Sequence, residues 1–93
     1  MFVTDLAAAT VEVTNRFGVH VRPSIAITRV AIQFRSRITI ACGDRSADAH
    51  SAVALAALGA DRGDLVTITA RGSDAKDALA AIRKLFEDQF GEE

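Results

Sequence analysis

Apolar and polar residues alternate from Ala9 to Thr14, with Ala9, Val11 and Val13 on one side and Thr10, Glu12 and Thr14 on the other. That period of two predicts a strand with one buried face. Asn15-Arg16-Phe17-Gly18 supplies turn chemistry. From Pro23 the period lengthens, and Pro23, Ala26, Ile27, Val30, Ala31 and Phe34 form one helical stripe. Pro23 is expected as the first helical residue, where its missing N–H costs nothing. Ile38, Ile40 and Cys42 alternate with Thr39 and Ala41 in a second strand. Gly43-Asp44 predicts a hairpin turn into a short third strand around Arg45 to Asp48.

Ser51 is placed to cap a short apolar helix from Ala52 to Leu58, which Gly59 would stop. A fourth strand turns Val66, Ile68 and Ala70 inward and Thr67, Thr69 and Arg71 outward. Ser73 or Asp74 caps the last helix, whose stripe is Ala75, Ala78, Leu79, Ile82, Leu85, Phe86 and then Phe90 or Gln89. The order β-α-β-β-α-β-α predicts an α+β fold with amphipathic helices on one face of an antiparallel sheet. Residues 1–93 are expected to form a single domain, with residues 1–6 as a loose N-terminal extension.

Composition narrows the function. Apolar residues make up 49% against 25% charged, so a packed core is expected rather than disorder. A net charge of −1 and the absence of Trp and Tyr argue against nucleic-acid binding. Cys42 is alone and cannot form an internal disulfide. A reducing, cytoplasmic setting and a buried structural role for Cys42 follow as expectations. Met1 to Ala9 holds no basic stretch and no long apolar run, so neither a leader nor a membrane span is expected.

His20 is the first candidate for chemistry. It stands between a glycine turn and a helix start, where unsatisfied N–H groups and the positive end of the helix dipole suit an anion. Arg22 adds a guanidinium fitted to phosphate oxygens. Positive charge there also disfavours imidazolium, leaving a neutral, nucleophilic ring. On spacing alone, a capping or surface histidine and a solvated arginine are the commoner readings of these residues. No further His, Cys or carboxylate stands at ligand spacing, so no metal site is expected. No glycine-rich phosphate loop or nucleophile triad occurs either.

Asn15-Arg16-Phe17-Gly18-Val19-His20-Val21-Arg22-Pro23 resembles the active-site stretch of the histidine-containing phosphocarrier (HPr) family. Gly43-Asp44, Ala49-His50-Ser51, Leu58-Gly59, Gly63 to Ile68 and Gly72-Ser73-Asp74-Ala75 follow the same family in order and spacing. The resemblance implies a two-layer open-faced sandwich with strand order 1-4-2-3. It also implies that His20 takes a phosphoryl group on Nδ1 from enzyme I of the phosphoenolpyruvate-dependent phosphotransferase system. An enzyme II A component would be the next acceptor, in sugar uptake or nitrogen-related regulation. Arg22 would neutralise the phosphoryl oxygens, with Asn15, Gly18 and Pro23 supporting the loop. The protein would be a monomeric carrier without a cofactor, and not an enzyme in its own right.

Ser51 stands where the family has its regulatory serine. An HPr kinase/phosphorylase or a transcription regulator is then a further partner, and a purely regulatory interaction module is the alternative function. As a residue, Ser51 is equally an ordinary helix cap. The chain departs from the family at Val21, at Ser24-Ile25 and at Ala52-Val53, and His50 replaces a frequent lysine. The first two changes are expected to alter only the surface around the histidine. Small residues after Ser51 leave Val53 and Ala56 as the docking patch, weaker in apolar anchors than usual.

Overall fold

A computed structural model describes residues 5–92. The elements run β1 (Asp5–Glu12), α1 (Val21–Ala31), β2 (Arg37–Cys42), β3 (Arg45–Asp48), α2 (Ala52–Leu58), β4 (Leu65–Gly72) and α3 (Ala75–Glu87). A 3₁₀ turn, Gln89–Gly91, follows. The strands form one antiparallel sheet in the order β1-β4-β2-β3, as the resemblance implied.

The alternation in sequence becomes the two faces of this sheet. Val13, Ile38, Ile40, Val66, Ile68 and Ala70 are fully buried beneath the helices. Thr10 and Thr67, paired across β1 and β4, face outward and share a hydroxyl hydrogen bond of 3.2 Å. The helical stripes close the core from the other side, with Ile27, Ala31, Leu55, Ala75, Ala78 and Ile82 contributing. Cys42 is buried at the end of β2 and carries a free thiol.

Five boundaries differ from expectation, two of them because β1 ends at Glu12, short of Thr14, and α1 at Ala31, short of Phe34. Residues 1–4 of the expected loose extension lie outside the described residues, but Asp5 and Leu6 begin β1, opposite Gly72 and Arg71. The ladder to β4 is long enough to recruit them, although their side chains are exposed. Helix α1 starts two residues earlier than expected, so Pro23 is its third residue. That position is equally free of an intrahelical N–H bond. Helix α3 stops at Glu87, and Phe90 reaches the core edge from the following turn, packed 4.8 Å from Phe86.

Asp74 occupies the cap position of α3 but makes no side-chain bond to that helix. Its carboxylate accepts from the backbone N–H groups of Arg35 and Ser36 and from the Ser36 hydroxyl. It therefore ties the α1–β2 connection to the sheet end. The Ser36 hydroxyl, followed by the Arg35 N–H, holds the carboxyl below its ordinary value of 3.8. A depressed carboxyl stabilises the fold fully above its unfolded value and loses that contribution as pH falls through the folded one. Asp74→Ala should thus unfold more easily at neutral pH. Its deficit should begin to shrink below about pH 4 and vanish once pH passes below the lowered folded value, as followed by urea unfolding of both proteins across that range.

Candidate functional site

The loop from Val13 to His20 is pinned at both ends. Val13 exchanges backbone bonds with Asp64 and Gly63, and the Val19 N–H donates to the Ala60 carbonyl at 2.9 Å. Between them, Gly18 takes φ +68°, and a Cβ there would run into the Ala60 carbonyl oxygen and the Asp61 backbone. Asn15, buried at 1% exposure, donates from Nδ2 to the Gly18 carbonyl at 2.7 Å. A tight turn, a close backbone approach and an internal amide together fix where the next residue stands.

That residue is His20, the N-cap of α1 in extended conformation. Its side chain is 37% exposed. The Phe17 ring meets it edge-on with centroids 6.1 Å apart, and the Arg16 guanidinium lies over Phe17. The His20 carbonyl accepts the Ser24 N–H at 3.0 Å and the Ser24 hydroxyl at 2.7 Å. Ser24 is fully buried, which corrects the expectation that Ser24 changes only the surface. Its hydroxyl locks the first turn of the helix onto the histidine backbone.

The N–H groups of Val21 and Arg22 open α1 with no acceptor among the described residues. Pro23 lacks an N–H, so these two amides are the free donors of the first turn. Arg22 is exposed and pairs with no carboxylate among the described residues. It lines a cleft of about 400 Å³ with Arg29, Phe90 and Glu92. The Glu92 carboxylate in turn lies 3.1 Å from His20 Nε2. Glu92 was not singled out from the sequence, and Ser24 only as a change of surface. Ser24 sits at helical spacing i, i+4 from the cap, a visible signal, whereas Glu92 is 72 positions from His20.

The family whose model describes a PTS HPr component phosphorylation site matches residues 7–88. The phosphocarrier protein HPr of Treponema pallidum is 35% identical over 88 residues, covering 95% of this chain and all of that protein. The phosphocarrier protein NPr of Proteus mirabilis is 34% identical over 84 residues, covering 89% and 93% of the two chains. Among solved structures, HPr-C-His from Thermoanaerobacter tengcongensis superposes with a TM-score of 0.88 at 32% identity, covering 94% of this chain and 98% of that one. The chain belongs to the PTS HPr family.

Ser51, the candidate regulatory residue, lies beside this site at the start of α2. Ser51 Oγ accepts the Ala54 N–H at 3.1 Å, and Gly59 closes α2 with φ +71°. The Thr28 hydroxyl on α1 donates to the Ala49 carbonyl at 2.9 Å, holding α1 against the entry to α2. A groove of about 360 Å³ runs between the two helices, lined by Val21, Ile25, Ala52, Val53 and Ala56. Val53 is 81% exposed and Val21 64%. Val21 and Ile25, read from the sequence as minor surface changes, are thus the groove's second wall. They supply bulk that Ala52 and Val53 lack. His50 is exposed and bonded through Nδ1 to Asp48 at 3.2 Å. The His50 backbone N–H on its carboxylate pulls Asp48 below the usual range.

Ser51→Ala should cost about 0.5–2 kcal/mol of stability through loss of the cap. It should leave phosphorylation at the histidine site nearly normal. Ser51→Asp keeps a capping oxygen and suits the helix dipole, yet sets a charge beside the groove. Phosphoryl uptake from enzyme I should slow in Ser51→Asp, and added salt should partly restore it. Equal rates for the two variants at low ionic strength would leave Ser51 as a cap alone.

Proposed function

We propose that this protein is a phosphoryl carrier in which His20 accepts a phosphoryl group on Nδ1 from phosphorylated enzyme I and hands it to an enzyme II A component. The observation that carries this reading is the placement of His20 as N-cap of α1, next to the Val21 and Arg22 amides and the Arg22 guanidinium, none of which has an acceptor among the described residues. A phosphoryl group on that ring meets two N–H donors, the helix dipole and a guanidinium. Among the described residues Glu92 is the one side chain hydrogen-bonded to the His20 ring, which suits a phosphorylated intermediate that other enzymes turn over.

Partner docking is assigned to the apolar groove of Val21, Ile25, Val53 and Ala56, alongside the exposed Phe17. Exposed apolar residues beside a reactive group are what a transient protein interface requires. Such a groove serves enzyme I and enzyme II A in turn, as well as an HPr kinase acting on Ser51. Among the described residues, no helix is long and apolar enough to cross a membrane. We place the carrier in the cytoplasm on the strength of its family.

The direct test is mass spectrometry of wild type and His20→Ala after incubation with phosphoenolpyruvate and enzyme I. Arg22→Ala provides a graded one. A charge-assisted bond to phosphate contributes about 1.5–3 kcal/mol, so transfer should slow about ten- to a hundredfold. The unfolding midpoint should stay put, because Arg22 is exposed. Unchanged rates in both directions would remove Arg22 from the site.

A further inference from the structure

The Glu92 carboxylate meets His20 Nε2 through both oxygens, at 3.1 and 3.3 Å. The same carboxylate accepts from Asn15 Nδ2 at 3.0 Å. Asn15 is buried and its Oδ1 finds no partner among the described residues. The two acceptors facing Nδ2 fix the amide's orientation, since a flipped amide would turn its oxygen on the Gly18 carbonyl and the carboxylate. The chain reaches Glu92 through Gln89, Phe90 and Gly91 with φ of +53°, +56° and +74°. Left-handed backbone is unfavourable for the first two residues, and Phe90 on Phe86 holds the turn in place.

We propose that Glu92 is a positioning residue for phosphoryl transfer through His20, an inference that rests on His20 being the acceptor. An ionised carboxylate can only accept, so Nε2 carries the ring proton and Nδ1 presents its lone pair. In the transfer, Nδ1 forms the N–P bond while the bond from phosphorus to the donor breaks. The donor's leaving atom keeps that electron pair. Nε2 retains its proton throughout, so the ring gains one positive charge directly facing Glu92. On transfer to the next acceptor, the N–P pair returns to Nδ1 and the ring is neutral again. The carboxylate thus orients the ring and offsets its charge, as the acidic member of a Ser-His-Asp triad does.

The test uses the full chain and the variants Glu92→Gln and Glu92→Ala. Ring ¹⁵N shifts of neutral, unphosphorylated His20 should show a proton on Nε2 and a bare Nδ1 in wild type, and a mixture of tautomers in both variants. Phosphoryl uptake from enzyme I should fall about tenfold in Glu92→Gln, as a charge-assisted bond becomes a neutral one. The melting temperature should be unchanged. An identical ring pattern in all three proteins overturns the proposal, and so does a changed pattern with unchanged transfer. Faster uptake by Glu92→Gln overturns it too, because the carboxylate would then be obstructing the site. Wild type that takes up no phosphoryl group sinks the acceptor reading instead, and the ring spectra, which need no partner, still report on Glu92.

Discussion

Phosphoenolpyruvate and enzyme I should place one acid-labile, base-stable phosphoryl group on the wild-type protein, and none on His20→Ala. The chain has two histidines, and their surroundings differ in a way that makes the outcome specific. His20 has Nε2 engaged by Glu92, leaving Nδ1 without a partner among the described residues. In His50 it is Nδ1 that is engaged, by Asp48, and α2, the helix that follows, has only seven residues. His50→Ala should therefore label as fully as wild type. Removing the acceptor removes the N–P bond itself, so the loss in His20→Ala is complete rather than graded. Intact-mass measurement followed by peptide mapping decides it, and full labelling of His20→Ala would withdraw the assignment.

Gly18→Ala should be the most damaging change that leaves every chemical group of the site in place. Two costs combine at this position. A non-glycine residue in left-handed backbone loses about 1–2 kcal/mol. The added Cβ also strikes the Ala60 carbonyl and the Asp61 backbone, and backbone cannot swing aside as a side chain can. Overpacking of this kind costs about 1–3 kcal/mol, giving a total of about 2–5 kcal/mol. Gly43 separates the two contributions, since it has φ +63° with nothing within 4 Å of an added Cβ. Gly43→Ala should lose only the conformational part.

Denaturant unfolding of the two glycine variants measures the difference. Phosphoryl transfer supplies a second readout, because relief of the Gly18 clash must move the loop that carries His20. The bond from Val19 to Ala60 lies within that contact. Transfer should fall in Gly18→Ala and hold in Gly43→Ala. Equal unfolding costs for the two variants would mean that the close approach at Gly18 is unimportant.

The strands and helices were legible because each is amphipathic with its own period. Ile38-Ile40-Cys42 and Val66-Ile68-Ala70 show a period of two, and Ile27-Ala31 with Ala78-Ile82 show the helical stripe. The caps of α2 were readable because Ser51 and Gly59 act on backbone within three or four residues of themselves. The motif around His20 was visible for the same reason: the turn, the N-cap and Pro23 are contiguous. Its assignment to phosphoryl transfer came from resemblance, since a histidine at a helix start carries little information alone.

Contacts between distant segments could not be read this way. Asp74 has the composition and position of a helix cap, yet its carboxylate serves Arg35 and Ser36, some 38 residues earlier. Val21 and Ile25 looked like incidental surface changes until α1 and α2 lay side by side. Phe90 continues a helical pattern in sequence, but the backbone leaves the helix at Glu87 and turns back to bring Glu92 to His20. Periodicity reports which face a residue shows to the core. It carries no record of which distant carboxylate a ring nitrogen will meet, because that depends on chain reversals whose net direction only the packed core decides. The sequence by itself therefore determined the elements, their buried faces and the turn that carries His20. The groove and the Asn15–Glu92–His20 contact were decided by tertiary packing.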